Sequence, residues 1–368
     1  MGSAVALTLR FKVFERYLAR EIYAATGLIL AAFLALFGFF DVIHELPSVG
    51  RGGYTMGHVA AYVALTMPVR VYELMPIAVL IGTLYALTLL ARHSEVTVLR
   101  ASGLSTRGLL RALTKIGAVM AVLTFAFGEF VAPPAERQAQ QLRLQALSSV
   151  VAQEFRSGLW VKDELSFVNV REVLPDASLR GVRIYEFDAG FQLRSISEAE
   201  SGRYVAPNRW QLGNVVQTLF EGERARVARA PEQQWNSSLT PDILTVLMVM
   251  FPERMSIASL YSYIRHLGDN QQKADRYEIA LWKKLIYPLA VLVMMVLALP
   301  FAYMQDRMGA VSVKVFAGIM LGITFHLLNG LFSSLGVING WIPVVAAITP
   351  SALFLLAAWA MIWWVERR

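Results

Sequence analysis

Four carboxylates sit where carboxylates are scarce. Asp41, Glu45, Glu73 and Glu129 lie in or beside long apolar segments. An ionisable residue inside a membrane segment marks a substrate path, a proton relay or a ligand site by default. Asp41, Glu45 and Glu73 fall near the ends of those segments, where an interfacial acid reached by water is the plainer reading. Glu129 lies about one helical turn inside its segment, ahead of Pro133 and Pro134, and both readings stay open for it. A second chemically loaded stretch is the loop ARHSEVTVLRASGLSTRGLLRALTK, Ala91–Lys115. Ser94 suits the N-cap of a short helix, Glu95 suits its positive end and Arg100 its negative end. Ser102-Gly103 ends it, because glycine tolerates the left-handed cap conformation. Ser105 or Thr106 caps the next helix. The pattern predicts a short amphipathic helix at about 92–102, set crosswise to its neighbours. Such a helix could rest on lipid headgroups or couple to a cytoplasmic motor, and pattern alone leaves both open.

Other chemistry is excluded by absence. There is no Cys, so thiolate metal sites, iron–sulfur clusters and thiol nucleophiles are ruled out. The histidines (His44, His58, His93, His266, His326) show no ligand spacing. GxxxxGK[ST], GxSxG, HExxH and GxGxxG are all missing. No catalytic residue, cofactor or metal is expected.

The elements that carry these residues follow from composition. The chain has 368 residues, of which 56% are hydrophobic and 17% charged, with a mean hydropathy of +0.49 and a formal charge of +7. The charges are unevenly placed: Ala135–Ala280 holds 17 of the 34 basic and 18 of the 27 acidic residues. That stretch is polar and nearly neutral, while its flanks are apolar and basic. Six apolar segments reach the roughly 20 residues that a spanning helix needs: Ile22–Phe40, Met75–Ala91, Ile116–Ala132, Leu285–Met304, Val315–Leu335 and Trp341–Val365. The first is longer than a secretory signal core and no small-x-small cleavage site follows it, so it reads as an uncleaved helix. With the polar insertion left out, thirteen Lys/Arg, among them Arg16, Arg92 and Arg111, fall on one side of the membrane; four, Arg51, Arg70, Lys283 and Lys284, fall on the other. Both termini are therefore expected in the cytoplasm. Lys283 and Lys284 run against the rule and are expected to snorkel to the interface. Gly318 and Gly322 form a GxxxG that permits close helix packing.

The polar insertion reads as β. Alternation is clear at SFVNV, at Gly181–Asp188, Phe191–Ile196, Arg203–Val205, Trp210–Phe220 and Arg224–Ala228. Short strands at this spacing suggest a sandwich or jelly roll. Ser256–His266 returns to helical spacing, with Ile257, Leu260 and Ile264 on one face. The expected architecture is an α-helical polytopic membrane protein, six transmembrane helices with an inserted β-domain, a sandwich or jelly roll, outside the cytoplasmic membrane. Its parts are residues 1–134, 135–270 and 271–368.

The loop RHSEVTVLRASGLS resembles the R-S-E-hydrophobic-x-V-M-x-A-S-G signature of the YjgP/YjgQ (LptF/LptG) permeases. FERYLAR resembles their D-R-Y-I opening, and GEFVAP, Gly128–Pro133, the end of their third helix. GLWVKDELSFVNV and GVRIYEF are most similar to strands of the LptG branch. The resemblance runs from about Phe14 to Trp364. It implies a non-catalytic subunit of the lipopolysaccharide exporter, held in the inner membrane, with the insertion as a periplasmic β-jelly-roll domain. The implied partners are an LptF-like paralogue, an LptB-like ATPase dimer, LptC and through it LptA, and lipopolysaccharide itself; nucleic acid is not among them. It implies that Ser94, Glu95, Arg100, Ser102 and Gly103 form the ATPase-coupling loop, with Glu95 making the contact, and that helices one and five gate the lipid cavity. Acyl chains need apolar walls, so Phe33, Phe37, Phe40, Phe316 and Phe325 are expected to line it.

One departure stands out. Relatives carry lysines at the outer end of helix one that are thought to meet lipid phosphates; here the sequence is FFDVIHELPSVGR. Arg70, Arg137 and Arg143 are the candidate substitutes, because a planar guanidinium binds phosphate bidentately. Arg143 occupies the place of a family arginine just past the third helix. Simple surface charge remains the other reading. A membrane enzyme acting on a lipid-linked substrate is the alternative function. It would need acids that converge with a base, whereas Glu129 and Asp41 are scattered along the chain. A mere anchor for the β-domain would leave five of six spans unexplained.

Overall fold

The computed structural model describes residues 2–147, 158–174, 178–222, 224–241, 243–244, 251–303 and 311–367. Among them, six helices are long and apolar enough to cross a membrane, as expected. Helix α1 (Gly2–Glu45) runs unbroken because its first proline is Pro47, in the 3-10 turn Leu46–Ser48 that ends it. Helix α2 spans Met56–Arg92 and α3 Glu95–Ala101. Helix α4 (Thr106–Ala126) passes through a π-turn, Phe127–Val131, into α5 (Ala132–Ala146). Pro133 and Pro134 do not stop this helix, contrary to the boundary read at Ala132. They follow directly on the π-turn, where Ala132 N already bonds five residues back to Phe127 O and the ordinary ladder is interrupted, so two missing N–H groups are tolerated.

The chain forms two compact units. The first comprises residues 1–41, 66–135 and 275–368. Its core gathers Leu18, Ile22, Leu80, Leu84, Leu113 and Met294, all at most 1% exposed. Besides α1–α4 it contains α7 (Asp275–Tyr303), α8 (Val311–Asn339) and α9 (Pro343–Glu366). The GxxxG of α8 sits on α2: a Cβ on Gly318 would lie 2.5 Å from Leu84, and one on Gly322 2.8 Å from Ile77. Burial divides the helices sharply. The apolar window of α2 is 78% buried, whereas that of α1 is 6% buried and that of α8 17%. An apolar helix left this bare needs lipid or another protein against it.

The second unit comprises residues 42–65 and 136–274. Its strands are β1 (Leu159–Asp163), β2 (Ser166–Val173), β3 (Leu179–Phe187), β4 (Leu193–Ala206), β5 (Arg209–Glu221) and β6 (Arg224–Asn236). They form one antiparallel sheet in chain order. The inserted β-domain is thus present, and its described connections are those of a meander, simpler than the Greek keys of a jelly roll. The segments read separately at Phe191–Ile196 and Arg203–Val205 join in the 14-residue β4. One face buries Val168, Val170, Val182, Ile184, Trp210 and Leu212. Val182 and Ile184 share it, and Tyr185 and Phe187 lie on the other, as alternation requires.

Alternation breaks at one level in three strands. Burial passes from Leu179 to Val182 in β3, from Ala199 to Gly202 in β4 and from Leu212 to Val215 in β5. Two successive residues face outward at each step, and the ladder keeps its register on both sides. Gly181 (φ +66°) and Asn214 (φ +52°) take the left-handed backbone this demands. The sheet is therefore creased along a line through Gly181, Glu200 and Asn214.

Helix α6 (Ile257–Asp269) is capped by the Ser256 hydroxyl, which accepts from Ser259 N at 3.1 Å. It buries Leu260, Tyr263, His266 and Leu267, with Ile257 and Ile264 half-buried beside them. Asp163 of β1 ties this region together, accepting from Ser237 Oγ at 2.5 Å and from the Ser238 hydroxyl, which also meets His266 Nδ1 at 3.3 Å.

Candidate functional site

The coupling loop keeps its expected shape with one change. Ser94 has φ +59° and sits in the turn between α2 and α3, so it is not the extended N-cap read from sequence. Glu95 opens α3, 3.8 Å from His93 Nδ1. Arg100 lies in the last turn of that helix. Gly103 (φ +95°) ends it, Leu104 N bonds back to Leu99 O at 3.0 Å, and the Ser102 hydroxyl donates to Val98 O at 2.8 Å. Ser105, rather than Thr106, caps α4 by accepting from Gly108 N at 3.2 Å. Leu99 and Leu104 fasten the loop to the core while Val98 is 62% exposed. A seven-residue helix held this way turns Val98 outward and keeps Glu95 half-exposed, bonded by the Tyr17 hydroxyl of α1.

The arginines read as phosphate ligands are already engaged. Arg70 forms a bidentate pair with Asp41, with distances of 2.8 Å and 3.1 Å, and a further bond to Glu73 at 3.1 Å. Its guanidinium also lies 5.6 Å from the Phe37 ring centroid. In the second unit, Arg143 Nη2 is 3.5 Å from Glu45, and its guanidinium lies over Tyr62. Glu45 is 4% exposed and accepts from the Tyr54 hydroxyl at 3.4 Å. Burial, reinforced by that carboxylate, pushes the Tyr54 hydroxyl up to about 12. Arg137 Nη2 donates to Ser259 Oγ at 2.5 Å. The structure thus places Asp41, Glu45 and Glu73 as counter-ions of Arg70 and Arg143, a role the interfacial reading had missed.

Glu129 pairs with Lys284 at 3.4 Å, and their side chains are only 14% and 6% exposed. Lys284 therefore does not snorkel. Beside this pair, Tyr72 and Tyr287 pack with ring centroids 4.8 Å apart, and the Tyr287 hydroxyl donates to Glu73 O at 2.6 Å. Sequence reasoning also missed Glu136, which is 1% exposed and held by Arg254 at 2.7 Å and Gln140 at 2.9 Å. A buried acid just past a long apolar helix was the available signal.

The five phenylalanines divide. Phe33 and Phe37 are half-buried on α1, while Phe40 of α1 and Phe316 of α8 are exposed. Phe325 stands apart from them: it is 2% exposed and packs edge-on against Phe354 at 5.2 Å, inside the helical core.

Comparison with known proteins matches residues 16–364 to the model of the family "Lipopolysaccharide export system permease LptF/LptG". The chain is 32% identical over 354 residues to the lipopolysaccharide export system permease protein LptG of Escherichia coli K12, covering 95% of this chain and 98% of the relative. It is 30% identical over 355 residues to LptG of Haemophilus influenzae, covering 96% and 98%. On the strength of that end-to-end match, and of six apolar helices around an inserted sheet, the chain belongs to the lipopolysaccharide export system permease LptF/LptG family.

Proposed function

We propose that this chain is the LptG-type subunit of an exporter that draws lipopolysaccharide out of the inner membrane and passes it to a periplasmic bridge. The single observation that carries this reading is the match to LptG relatives over nearly the whole length of both proteins. The bare flanks of α1 and α8 support an LptF-like paralogue and lipid as their covering. The half-exposed acid of α3 supports docking of an LptB-like ATPase dimer, which would supply the hydrolysis. LptC, and LptA through it, would receive the lipid from the β-domain. The basic asymmetry of the loops favours cytoplasmic termini and a periplasmic β-domain.

In this reading Phe33, Phe37, Phe40 and Phe316 offer apolar contact to acyl chains. Arg70, Arg137 and Arg143 offer guanidinium groups to lipid phosphates, and the carboxylates on Arg70 and Arg143 hold their places until lipid arrives. The membrane-enzyme alternative fares worse, because Asp41, Glu45, Glu73 and Glu129 are each taken up by an arginine or lysine. The test is reconstitution in liposomes with the paralogue, the ATPase and LptC. ATP-dependent release of lipopolysaccharide to soluble LptA is expected. An assembled complex that hydrolyses ATP and releases none would overturn the proposal.

A further inference from the structure

The crease in the sheet is a built concavity that neither the ion pairs nor the coupling loop uses. It is a solvent-open hollow of about 720 Å³, within the range of small-ligand sites. Arg171, Arg183, Glu200, Ser201 and Asn214 face into it from four strands. Three of these groups are held by partners on the sheet. Arg183 Nε is 3.0 Å from Glu198, and the Asn214 amide donates to Glu200 at 2.8 Å across the crease. Arg171 differs, as its guanidinium has no ion-pair partner among the described residues. Its stem lies over Gly181, where a Cβ would come 3.0 Å from Arg171 Cβ. That glycine therefore both turns the strand and lets the arginine lie across the floor.

The same face carries aromatic rings beside the concavity. Trp160 pairs in register with Asn169, which lines the crease, and stacks on Tyr185 at 5.6 Å. Trp160 is 53% exposed. A flat exposed ring next to a bonded amide–carboxylate pair and a hydroxyl fits a ligand with an apolar C–H face and a rim of hydroxyls. An adjacent uncommitted guanidinium fits an acidic substituent on that ligand.

We propose that the crease binds an acidic saccharide: Trp160 stacks on the ring, Arg171 holds the acid group, and Glu200, Ser201 and Asn214 take hydroxyls. The export reading enters only in naming a source, since lipopolysaccharide carries saccharide; the crease chemistry fits a free sugar acid equally.

The test is saturation-transfer NMR on the full chain in detergent micelles, with glucuronate and glucose as probes. Transfer to the ring protons of glucuronate is expected, with glucose markedly weaker. Arg171→Gln should bind glucuronate at least about tenfold more weakly, the loss of one charge-assisted hydrogen bond, and so erase the preference over glucose. Trp160→Ala should weaken both sugars, and Arg224→Gln, at the far edge strand, neither. Each variant's fold is checked by circular dichroism. Displacement of glucuronate by deacylated lipopolysaccharide core would support the glycolipid as the source; binding without displacement would support a free sugar acid. Absence of transfer to either sugar, or transfer untouched by Arg171→Gln and Trp160→Ala, would overturn the site. Loss of lipid release in the reconstituted exporter with sugar binding intact would instead count against the export reading.

Discussion

Arg70 grips Asp41 through two hydrogen bonds at once, Nη2 to Oδ1 at 2.8 Å and Nε to Oδ2 at 3.1 Å, across 29 residues of chain. This is the fork geometry by which a guanidinium takes a phosphate. An anion site on Arg70 is therefore filled from within, and an incoming lipid phosphate must displace Asp41. Asp41→Asn is expected to raise the affinity of the full chain for a phosphorylated lipid several-fold, with no change for its dephosphorylated form. The ceiling is the worth of one hydrogen bond to a charged group, about 1.5–3 kcal/mol. An unchanged ratio of the two affinities would remove Arg70 from the lipid path.

Glu95 opens α3 with its carboxylate toward solvent, 37% exposed and only loosely near His93. Its partners in the described fold, His93 and the Tyr17 hydroxyl of α1 that bonds to it, both lie at the surface. Glu95→Ala should therefore lower the melting temperature in detergent only slightly. If Glu95 docks the ATPase in a desolvated charge pair, the same change should cost about 2–5 kcal/mol of association. Co-purification and titration with the ATPase measure it, and wild-type binding would reject the role.

His266 gives the β-bearing unit an acid-sensitive point. Burial pulls its proton affinity below the usual 6.5, while Asp163 and Asp269 pull the other way. The unfolded imidazole takes up a proton as pH falls through 6.5 and the folded one resists. Stability is thus fully present above 6.5 and lost as pH drops toward the lower folded value. One proton sets a limiting slope of about 1.4 kcal/mol per pH unit. Wild-type unfolding should show that acid slope and His266→Gln should flatten it; equal slopes would assign the acid sensitivity elsewhere.

Gly128 in the π-turn faces Tyr72 so closely that a Cβ would lie 2.4 Å from two ring carbons. Tyr72 cannot easily retreat, being packed on Tyr287, whose hydroxyl is bonded to the backbone of Glu73. Gly128→Ala should destabilise by about 1–3 kcal/mol, the usual cost of overpacking. Gly27→Ala, with open space around it, is the matched control and should be near neutral. Equal melting temperatures for the two variants would show that the π-turn yields freely.

What the sequence displayed and what it hid follow from interaction range. Six spans were legible because about twenty apolar residues in a row have few soluble uses. The face shared by Val182 and Ile184 was legible because a strand alternates. The end of α3 was legible because Gly103 needs no tertiary context. The partners of Asp41, Glu45 and Glu129 were not, since Arg70, Arg143 and Lys284 lie far along the chain and no periodicity links them. Phe325 looked like Phe316 in sequence; the packing of α9, through Phe354, decides that one is core and the other bare. The crease hid because Glu200 fell between two segments read as separate strands, and because strict alternation does not foresee three strands changing face at one level.

Lys284 and Glu129 offer the sharpest test of how the helical unit tolerates charge. Both side chains are nearly buried, at 6% and 14% exposure, with 3.4 Å between Nζ and Oε2. Two charges taken out of water lose solvation that their attraction only partly repays, so the pair contributes little net stability. Removing one member is different, because the other stays buried and loses its ion-pair partner. Lys284→Met alone and Glu129→Gln alone should each lower stability by roughly 3–5 kcal/mol. The double variant Lys284→Met with Glu129→Leu should recover most of that loss, read as thermal unfolding in one detergent. Lipid release by the reconstituted exporter then separates two roles. Recovered stability with recovered release marks the pair as a structural fixture. Recovered stability with release still lost shows that charge at this point is used in transport. If the double variant is as unstable as the sum of the singles, the two residues do not act as a pair.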